Sequence, residues 1–98
     1  MLELEKIKAA HETIKDIIYK TPFSLSTRLS KAMDAKIYLK EENLQITGAY
    51  KVRGAFNKIA NLSPEQKKKG VVAASAGNHA QGVAISAAHF GVRSVIIM

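Results

Sequence analysis

The stretch ITGAYKVRGAF, residues 46–56, places a single lysine between two glycines, with an arginine two residues after it. Lys51 stands where a loop meets the start of an apolar helix, and the positive end of a helix disfavours the ammonium form. A neutral lysine amine can attack a carbonyl carbon and form a Schiff base. The alternative is a solvated lysine on a helix face, and the stretch taken alone favours that alternative.

A second stretch, Ser75 to His79, follows the short apolar strand VVAAS and leads into a helix. Free backbone amides at the start of a helix bind anions, and the helix dipole favours negative charge there. Gly77 allows the backbone to approach a ligand closely, while Ser75 and Asn78 add side-chain hydrogen bonds. An ordinary helix cap with a glycine turn explains these residues equally well. Their spacing matches neither a phosphate P-loop nor a dinucleotide fingerprint.

The composition limits the classes of protein to consider. The chain has 98 residues, enough for one small domain at most, and no cysteine, which excludes disulfides and thiolate metal sites. Its three histidines lie too far apart for a metal-ligand pattern. The net charge of +7 suggests an anionic partner, but the basic residues are dispersed, and we expect most to solvate helix faces. Neither a membrane span nor a secretion signal is evident, so we expect no membrane partner and a cytoplasmic location.

The periodicity of apolar residues predicts the elements that position the two loops. A helix is predicted over residues 3–19, ending before Pro22, and a short helix in SLSTRLSKAM, capped by Ser24 or Ser26. Next come a strand in AKIYLKEE, a helix in GAYKVRGAFNKIANL, a short helix capped by Ser63, and a strand–helix–strand segment from VVAAS to SVIIM. This last segment is a βαβ unit with parallel strands, which predicts an open α/β sheet.

Two stretches in register, LKEENLQITGAYKVRGAF and VVAASAGNHAQGVA, resemble the threonine and serine dehydratases, which are fold-type II pyridoxal 5′-phosphate enzymes. The second signature runs unbroken from Ser75 to Gly82. One departure is Ala49-Tyr50, where the family has Ser-Phe, so a hydroxyl is lost before the lysine while an aromatic ring is retained. The family's pattern around its reactive lysine is matched at Lys40, Glu42, Gln45, Thr47, Gly48, Lys51, Arg53, Gly54 and Ala55.

The resemblance assigns roles to residues of both loops. Lys51 would carry pyridoxal 5′-phosphate through its amine, and Asn78 would hydrogen-bond the 3′ oxygen of the pyridoxal ring. Ser75, Gly77, Asn78 and His79 would hold the carboxylate of a small amino-acid substrate. The implied reaction is β-elimination of L-threonine, and of L-serine, to a 2-oxo acid and ammonia. Both a biosynthetic and a catabolic role fit these motifs.

The resemblance also implies how the chain is organised. The fold would be a three-layer α/β sheet, with residues 1–45 packing on a larger cofactor domain and residues 46–98 beginning the smaller domain. The chain would be truncated after residue 98, because the family's glycine-rich phosphate loop comes later. Because that loop is missing, we expect no activity for this piece alone. For the complete protein we expect a homo-oligomer. We also expect the apolar stripe of Ile7, Ile14 and Ile18 to lack its covering surface.

Two other functions are compatible with parts of the sequence. Serine racemisation needs a second acid or base on the opposite face of the cofactor, which by resemblance is a serine at the position of Ala76. An alanine cannot transfer a proton, so dehydration is favoured. A basic nucleic-acid-binding module would use Lys67, Lys68 and Lys69, but it lacks interleaved aromatic residues, and the dipole of a short helix explains these lysines. We therefore expect no nucleic-acid partner.

Overall fold

The chain contains five α-helices and four short β-strands in the computed structural model, which describes all 98 residues. None of the helices combines the length and apolar character needed to cross a lipid bilayer. Two 3-10 turns, Glu42–Leu44 and Ile46–Gly48, lead into the third helix. The helices are α1 (Leu4–Ile14), α2 (Thr27–Met33), α3 (Lys51–Ala60), α4 (Pro64–Lys69) and α5 (Asn78–His89). The strands are β1 (Phe23–Leu25), β2 (Tyr38–Lys40), β3 (Val71–Ala74) and β4 (Ser94–Ile97).

The predicted βαβ unit is present as β3, α5 and β4. The two strands pair in parallel, with Val71 opposite Ser94 and Ala74 opposite Ile97. Gly91 follows the end of α5 with a φ of 64°, the left-handed conformation that commonly ends a helix. The chain then turns back beside β3, so the α/β character is confirmed. Within this chain the parallel sheet has two strands.

A second, antiparallel sheet pairs β1 with β2 and contains a strand that the sequence did not predict. The strand in AKIYLKEE is confirmed as β2, but β1 has only three residues, too few to show an alternating pattern. Its pairing with β2 sets Phe23 opposite Lys40 and Leu25 opposite Tyr38. The rings of Phe23 and Tyr38 stack with their centroids 5.4 Å apart. Contact across the sheet, rather than local pattern, therefore stabilises β1.

Helix α1 ends at Ile14, earlier than the predicted residue 19. The N–H groups of Ile17 and Ile18 both donate to the carbonyl of Ile14, which tightens the chain beyond the helix. The side-chain amide of Gln45 then accepts the Tyr19 N–H at 2.9 Å and donates to the Tyr19 carbonyl at 2.8 Å. Because a continuing helix would use those backbone groups internally, this distant contact takes the place of the last helical turn.

Helix α3 lies at the centre of the core and packs on two sides. On one side Val52 and Phe56 contact Ile14 and Ile18, which are only 5% and 9% exposed. The expectation that these two isoleucines lack a covering surface is therefore wrong, whereas Ile7 is 50% exposed. The other side of α3 joins a cluster of six buried apolar residues, Ala55, Ile59, Ala73, Val83, Ala87 and Val92. The first residue of α3 therefore sits on a helix that its neighbours hold firmly.

The predicted helix caps are confirmed. Ser63 and Gln66 form a reciprocal capping box at the start of α4, with Pro64 as the first helical residue. Of the two candidate caps for α2, Ser26 is the one that accepts a backbone N–H, from Leu29. These are contacts between near neighbours, so the local sequence is sufficient to predict them.

Candidate active site

Lys51 is the first residue of α3, as the sequence predicts. The preceding residue, Tyr50, makes no side-chain hydrogen bond to cap the helix. The side chain of Lys51 is exposed, and its amine lies 5.3 Å from the centroid of the Tyr50 ring, within the range of a cation–π contact. Lys51 is therefore an accessible amine beside an aromatic wall at the positive end of a helix.

The turn directly before Lys51 is strained. Thr47 has a φ of 64°, and Gly48 follows with a φ of 69°. A β-branched residue in the left-handed region is unusual and costs about 1–3 kcal/mol. The hydroxyl oxygen of Thr47 is also buried without any hydrogen-bond partner. Strain combined with an unsatisfied buried hydroxyl is typical of functional turns. The sequence analysis matched Thr47 to the family pattern but did not identify its conformation.

The Ser75–His79 loop forms an open helix start. Helix α5 begins at Asn78, with Gly77 as its N-cap and no side chain capping the free amides. A Cβ added to Gly77 would meet no atom within 4 Å, so packing within this chain does not require glycine there. Ser75 accepts the Gly77 N–H on its hydroxyl oxygen at 3.3 Å, which leaves the Ser75 O–H available as a donor. Asn78 and His79 are both exposed, so this loop presents several unused donors to solvent.

The two loops are brought together by the packing of α3 against α5. Gly82 of α5 touches the backbone at the start of α3, where an added Cβ would lie 3.1 Å from the Val52 nitrogen and 3.2 Å from the Lys51 carbonyl carbon. Asn78 precedes Gly82 by one helical turn, a rise of about 6 Å. The structure therefore places Lys51 near the start of α5, and the two loops form one candidate site.

A polar network behind Lys51 was not predicted. Arg53 donates two hydrogen bonds to the Glu42 carboxylate, at 2.7 and 2.8 Å, and the Thr21 hydroxyl donates a third at 2.6 Å. The hydrogen bonds from Arg53, followed by the one from Thr21, lower the pKa of Glu42 from 4.5 to about 2 against the opposing effect of burial. The same carboxylate raises the pKa of Arg53. The network joins the segment after α1 to the first turn of α3.

Comparison with known proteins shows which family has this arrangement. Residues 14–98 match the family described as "Pyridoxal-phosphate dependent enzyme". The chain belongs to this family. It is 55% identical over 98 residues to the L-threonine ammonia-lyase of Thermotoga maritima, covering all of this chain and 24% of that protein. It is 46% identical to the L-threonine dehydratase biosynthetic IlvA of Bacillus subtilis, covering 23% of that protein. The chain thus spans about a quarter of the length of these curated relatives.

Two solved structures of related enzymes share the fold. A structure of maize serine racemase matches with a TM-score of 0.91 and 38% identity, covering 98% of this chain and 30% of that chain. A crystal structure of T.th. threonine deaminase matches with a TM-score of 0.83 and 38% identity, covering 96% of this chain and 33% of that chain. The predicted fold class, an N-terminal portion of a fold-type II enzyme, is therefore confirmed.

The residues of this chain fit pyridoxal phosphate, the cofactor of the family. Lys51 offers the accessible amine that covalent attachment needs. The unpartnered hydroxyl of Thr47 lies in the turn before it, and the uncapped start of α5 offers free amides to an anionic group. Arg53 is already engaged by Glu42, so it is not one of these free donors.

Proposed function

We propose that the complete protein is a threonine ammonia-lyase that converts L-threonine, and also L-serine, to a 2-oxo acid and ammonia with pyridoxal phosphate. The observation that carries this proposal is the placement of Lys51 beside the open Ser75–His79 loop, in a chain 55% identical to an L-threonine ammonia-lyase. The relatives named as threonine dehydratases include both biosynthetic and catabolic enzymes, so the proposal concerns the reaction and not the pathway.

Lys51 has two roles in the proposed reaction. Its amine would hold the cofactor covalently and would be free to act as a base once the substrate is bound. The freed amine then removes the proton from Cα of the substrate. When bound, pyridoxal phosphate supplies an electron sink for the electrons left at Cα. The exposed amine of Lys51 at the start of α3 supports this role, because both cofactor and substrate can reach it.

The Ser75–His79 loop binds and orients the substrate. Its free amides and the hydroxyl of Ser75 hold the substrate carboxylate, with Gly77 allowing close approach and His79 at the edge of the site. The side-chain amide of Asn78 would help to hold the cofactor by a hydrogen bond to the 3′ oxygen of the pyridoxal ring. Holding the carboxylate at a helix start fixes the direction of the Cα–H bond relative to the Lys51 amine, which lowers the entropic part of the barrier.

The proposed reaction balances without an oxidant or reductant. Loss of the Cα proton and of the β-hydroxyl group removes one water from threonine. Hydrolysis of the resulting enamine returns that water and releases ammonia. The net products of L-threonine are therefore 2-oxobutyrate and ammonia.

Racemisation is the second candidate, because a serine racemase structure matches this chain with a TM-score of 0.91. Racemisation requires proton delivery from the face of Cα opposite to Lys51. The resemblance to the family puts the second acid or base of a racemase at position 76. That residue is Ala76, which is exposed and carries no titratable group. Elimination therefore remains the favoured reaction, and a racemase would produce D-serine from L-serine in excess over pyruvate.

We also propose an arrangement for the complete protein. Residues 1–45 pack on a larger cofactor domain, and residues 46–98 begin the smaller domain. Support comes from α2, β1 and β2, none of which contains a buried residue. Their exposed large apolar side chains are Phe23, Leu25, Leu29, Met33, Tyr38 and Leu39. The complete protein is then a cytoplasmic homo-oligomer whose partner is a small amino acid, with neither nucleic acid nor membrane bound.

Replacement of Lys51 in the complete protein tests the proposed function. Lys51→Ala is expected to lower 2-oxobutyrate release from L-threonine by about 10³-fold or more, because both the attachment point and the base are lost. Lys58→Ala is the matched control, since Lys58 is an exposed lysine on the same helix. Turnover of the control should stay within about twofold of the wild type, since Lys58 holds no group of the reaction.

Borohydride reduction followed by peptide mapping identifies the lysine that holds the cofactor. The label is expected on Lys51 and on no other lysine. A label elsewhere, undiminished turnover in Lys51→Ala, or D-serine as the main product from L-serine would contradict the proposed function.

A further inference from the structure

Gly82 is a buried glycine inside α5, at the point where α5 touches α3. A Cβ placed on Gly82 would lie 3.1 Å from the Val52 nitrogen, 3.2 Å from the Lys51 carbonyl carbon and 3.3 Å from the Lys51 carbonyl oxygen. All three are backbone atoms of the first turn of α3. A rotamer change cannot relieve such contacts, so one helix would have to move by a few tenths of an ångström.

The start of α3 has little freedom to move away. Val52 is completely buried and Phe56 nearly so, and both pack against the isoleucines at and beyond the end of α1. Arg53, in the same turn, is tied to Glu42 by two hydrogen bonds. On the other helix, Val83 and Ala87 pack in the cluster of six buried apolar residues that includes Ala55 and Ile59 of α3. Both sides of the contact are therefore held in place.

The glycine itself is unfavourable for the helix. Glycine inside a helix costs about 1 kcal/mol relative to alanine, and Gly82 does not have the positive φ that would require it. Gly54 of α3 provides the comparison, since a Cβ added there would meet no atom within 4 Å. The close approach of two backbones, and not the conformation, explains glycine at position 82.

We propose that Gly82 is a positioning residue that sets the separation between Lys51 and the Ser75–His79 loop. The backbone of Lys51 forms one side of the contact, and Gly82 of α5 forms the other. The Ser75–His79 loop leads into α5 one helical turn before Gly82. Any increase in the spacing of the helices at this point moves the amine away from a substrate held by the loop. The role in catalysis rests on the proposed function above, but the steric role does not.

The proposal predicts how Gly82→Ala changes the kinetics of the complete enzyme. The kcat for L-threonine should fall by about 3–10-fold, because displacement of a reacting group by a fraction of an ångström already costs rate. The KM should change by less than about twofold, because the loop moves with α5 and keeps its carboxylate contacts intact. Lys58→Ala, at an exposed position of α3 outside the motif, is the control and should leave both constants unchanged.

Two measurements without turnover complete the test. The melting temperature should fall for Gly82→Ala and rise for Gly54→Ala, whose added methyl group favours the helix. A crystal structure of Gly82→Ala should show the distance between the Cα atoms of Lys51 and Asn78 changed by a few tenths of an ångström. This structural readout stands even if the wild-type enzyme has no threonine ammonia-lyase activity, so failure of the proposed function is recognised separately.

Three outcomes would overturn the proposal. One is an unchanged distance between the two Cα atoms in Gly82→Ala. Another is a loss of affinity for L-threonine with kcat retained. The third is a Gly82→Ala protein that does not fold while Gly54→Ala does, because a shift of a few tenths of an ångström should leave the fold intact.

Discussion

Glu42 connects three segments that are distant in the sequence. Its carboxylate accepts hydrogen bonds from Thr21, which follows α1, and from Arg53, which lies two residues after Lys51. Gln45, one turn later, holds the backbone of Tyr19. The side chains of Glu42 and Arg53 are 17% and 30% exposed, so solvent screens this ion pair less than a surface pair. The network fixes the first turn of α3 and with it the backbone of Lys51.

Replacement of Glu42 by glutamine should destabilise the protein by about 1–3 kcal/mol, because Arg53 loses a charged partner in a partly buried place. The pKa of Glu42 is about 2 in the folded state and about 4.5 ordinarily. Its contribution is therefore complete above about pH 5 and is lost as the pH falls towards 2. Denaturant unfolding of the wild type and of Glu42→Gln between about pH 2 and pH 7 should show that their difference in unfolding free energy shrinks at low pH.

The matched control for this prediction is Glu12→Gln. Glu12 also pairs with a basic residue, Lys15, but the pair is exposed at the end of α1. Its loss should change stability little at any pH. If Glu42→Gln were as mild as the control, the network would be unimportant for stability.

At the scale of the elements, two glycines lie in turns of the β3–α5–β4 segment, one before β3 and one between α5 and β4, and they differ in what surrounds them. Gly70 precedes β3 with a φ of 86° and a ψ of −175°, a region that is essentially restricted to glycine. A Cβ at Gly70 would also lie 2.7 Å from the Arg93 carbonyl oxygen. Gly91 precedes β4 with a φ of 64°, and a Cβ there would meet no atom within 4 Å. Conformation alone therefore requires Gly91, whereas conformation and contact both require Gly70.

Alanine at these two positions should have unequal costs. Gly91→Ala should cost about 1 kcal/mol from the left-handed conformation alone. Gly70→Ala should cost about 3 kcal/mol or more, because the clash with the Arg93 backbone would push the two parallel strands apart. Urea unfolding of both variants measures the difference. Equal costs would show that the contact with Arg93 relaxes freely.

At the scale of the whole molecule, the exposed apolar surface is the most informative feature. The β1–β2 sheet and α2 leave their large apolar side chains open to solvent. The strand β4 also exposes Val95 and Ile97. Contiguous apolar surface and open strand edges normally lie in interfaces. Residues 1–98 therefore have an apolar core around α3, and away from that core they leave apolar side chains uncovered.

Residues 1–98 produced by themselves should self-associate and show no release of 2-oxobutyrate from L-threonine with added pyridoxal phosphate. The reason is that the open apolar surfaces associate, and that the relatives are about four times as long as this stretch. Light scattering measures the association, and Lys51→Ala in the same stretch is the control for the assay. Steady turnover that disappears in the control would contradict this expectation.

The sequence by itself was sufficient for features that depend on near neighbours and on residue type. The capping box at Ser63, the βαβ unit and the helix start at Lys51 all follow from local periodicity and capping chemistry. The two motifs were also enough to identify the family, because their residue types and spacing are read directly from the chain. Their nearness in space was not predicted from the sequence, because it depends on the contact of α3 with α5 at Gly82.

Other features were decided only by the tertiary structure. The early end of α1 and the strand β1 depend on Gln45 and on β2, which lie far along the chain. The ion pair of Glu42 with Arg53 and the strain at Thr47 depend on how the turn before Lys51 folds against its surroundings. Gly82 looks like an unfavourable helix residue until α3 is placed against it. In each case the conformation is decided by the free energy of contacts between residues distant in the sequence. Local propensities do not include these contacts.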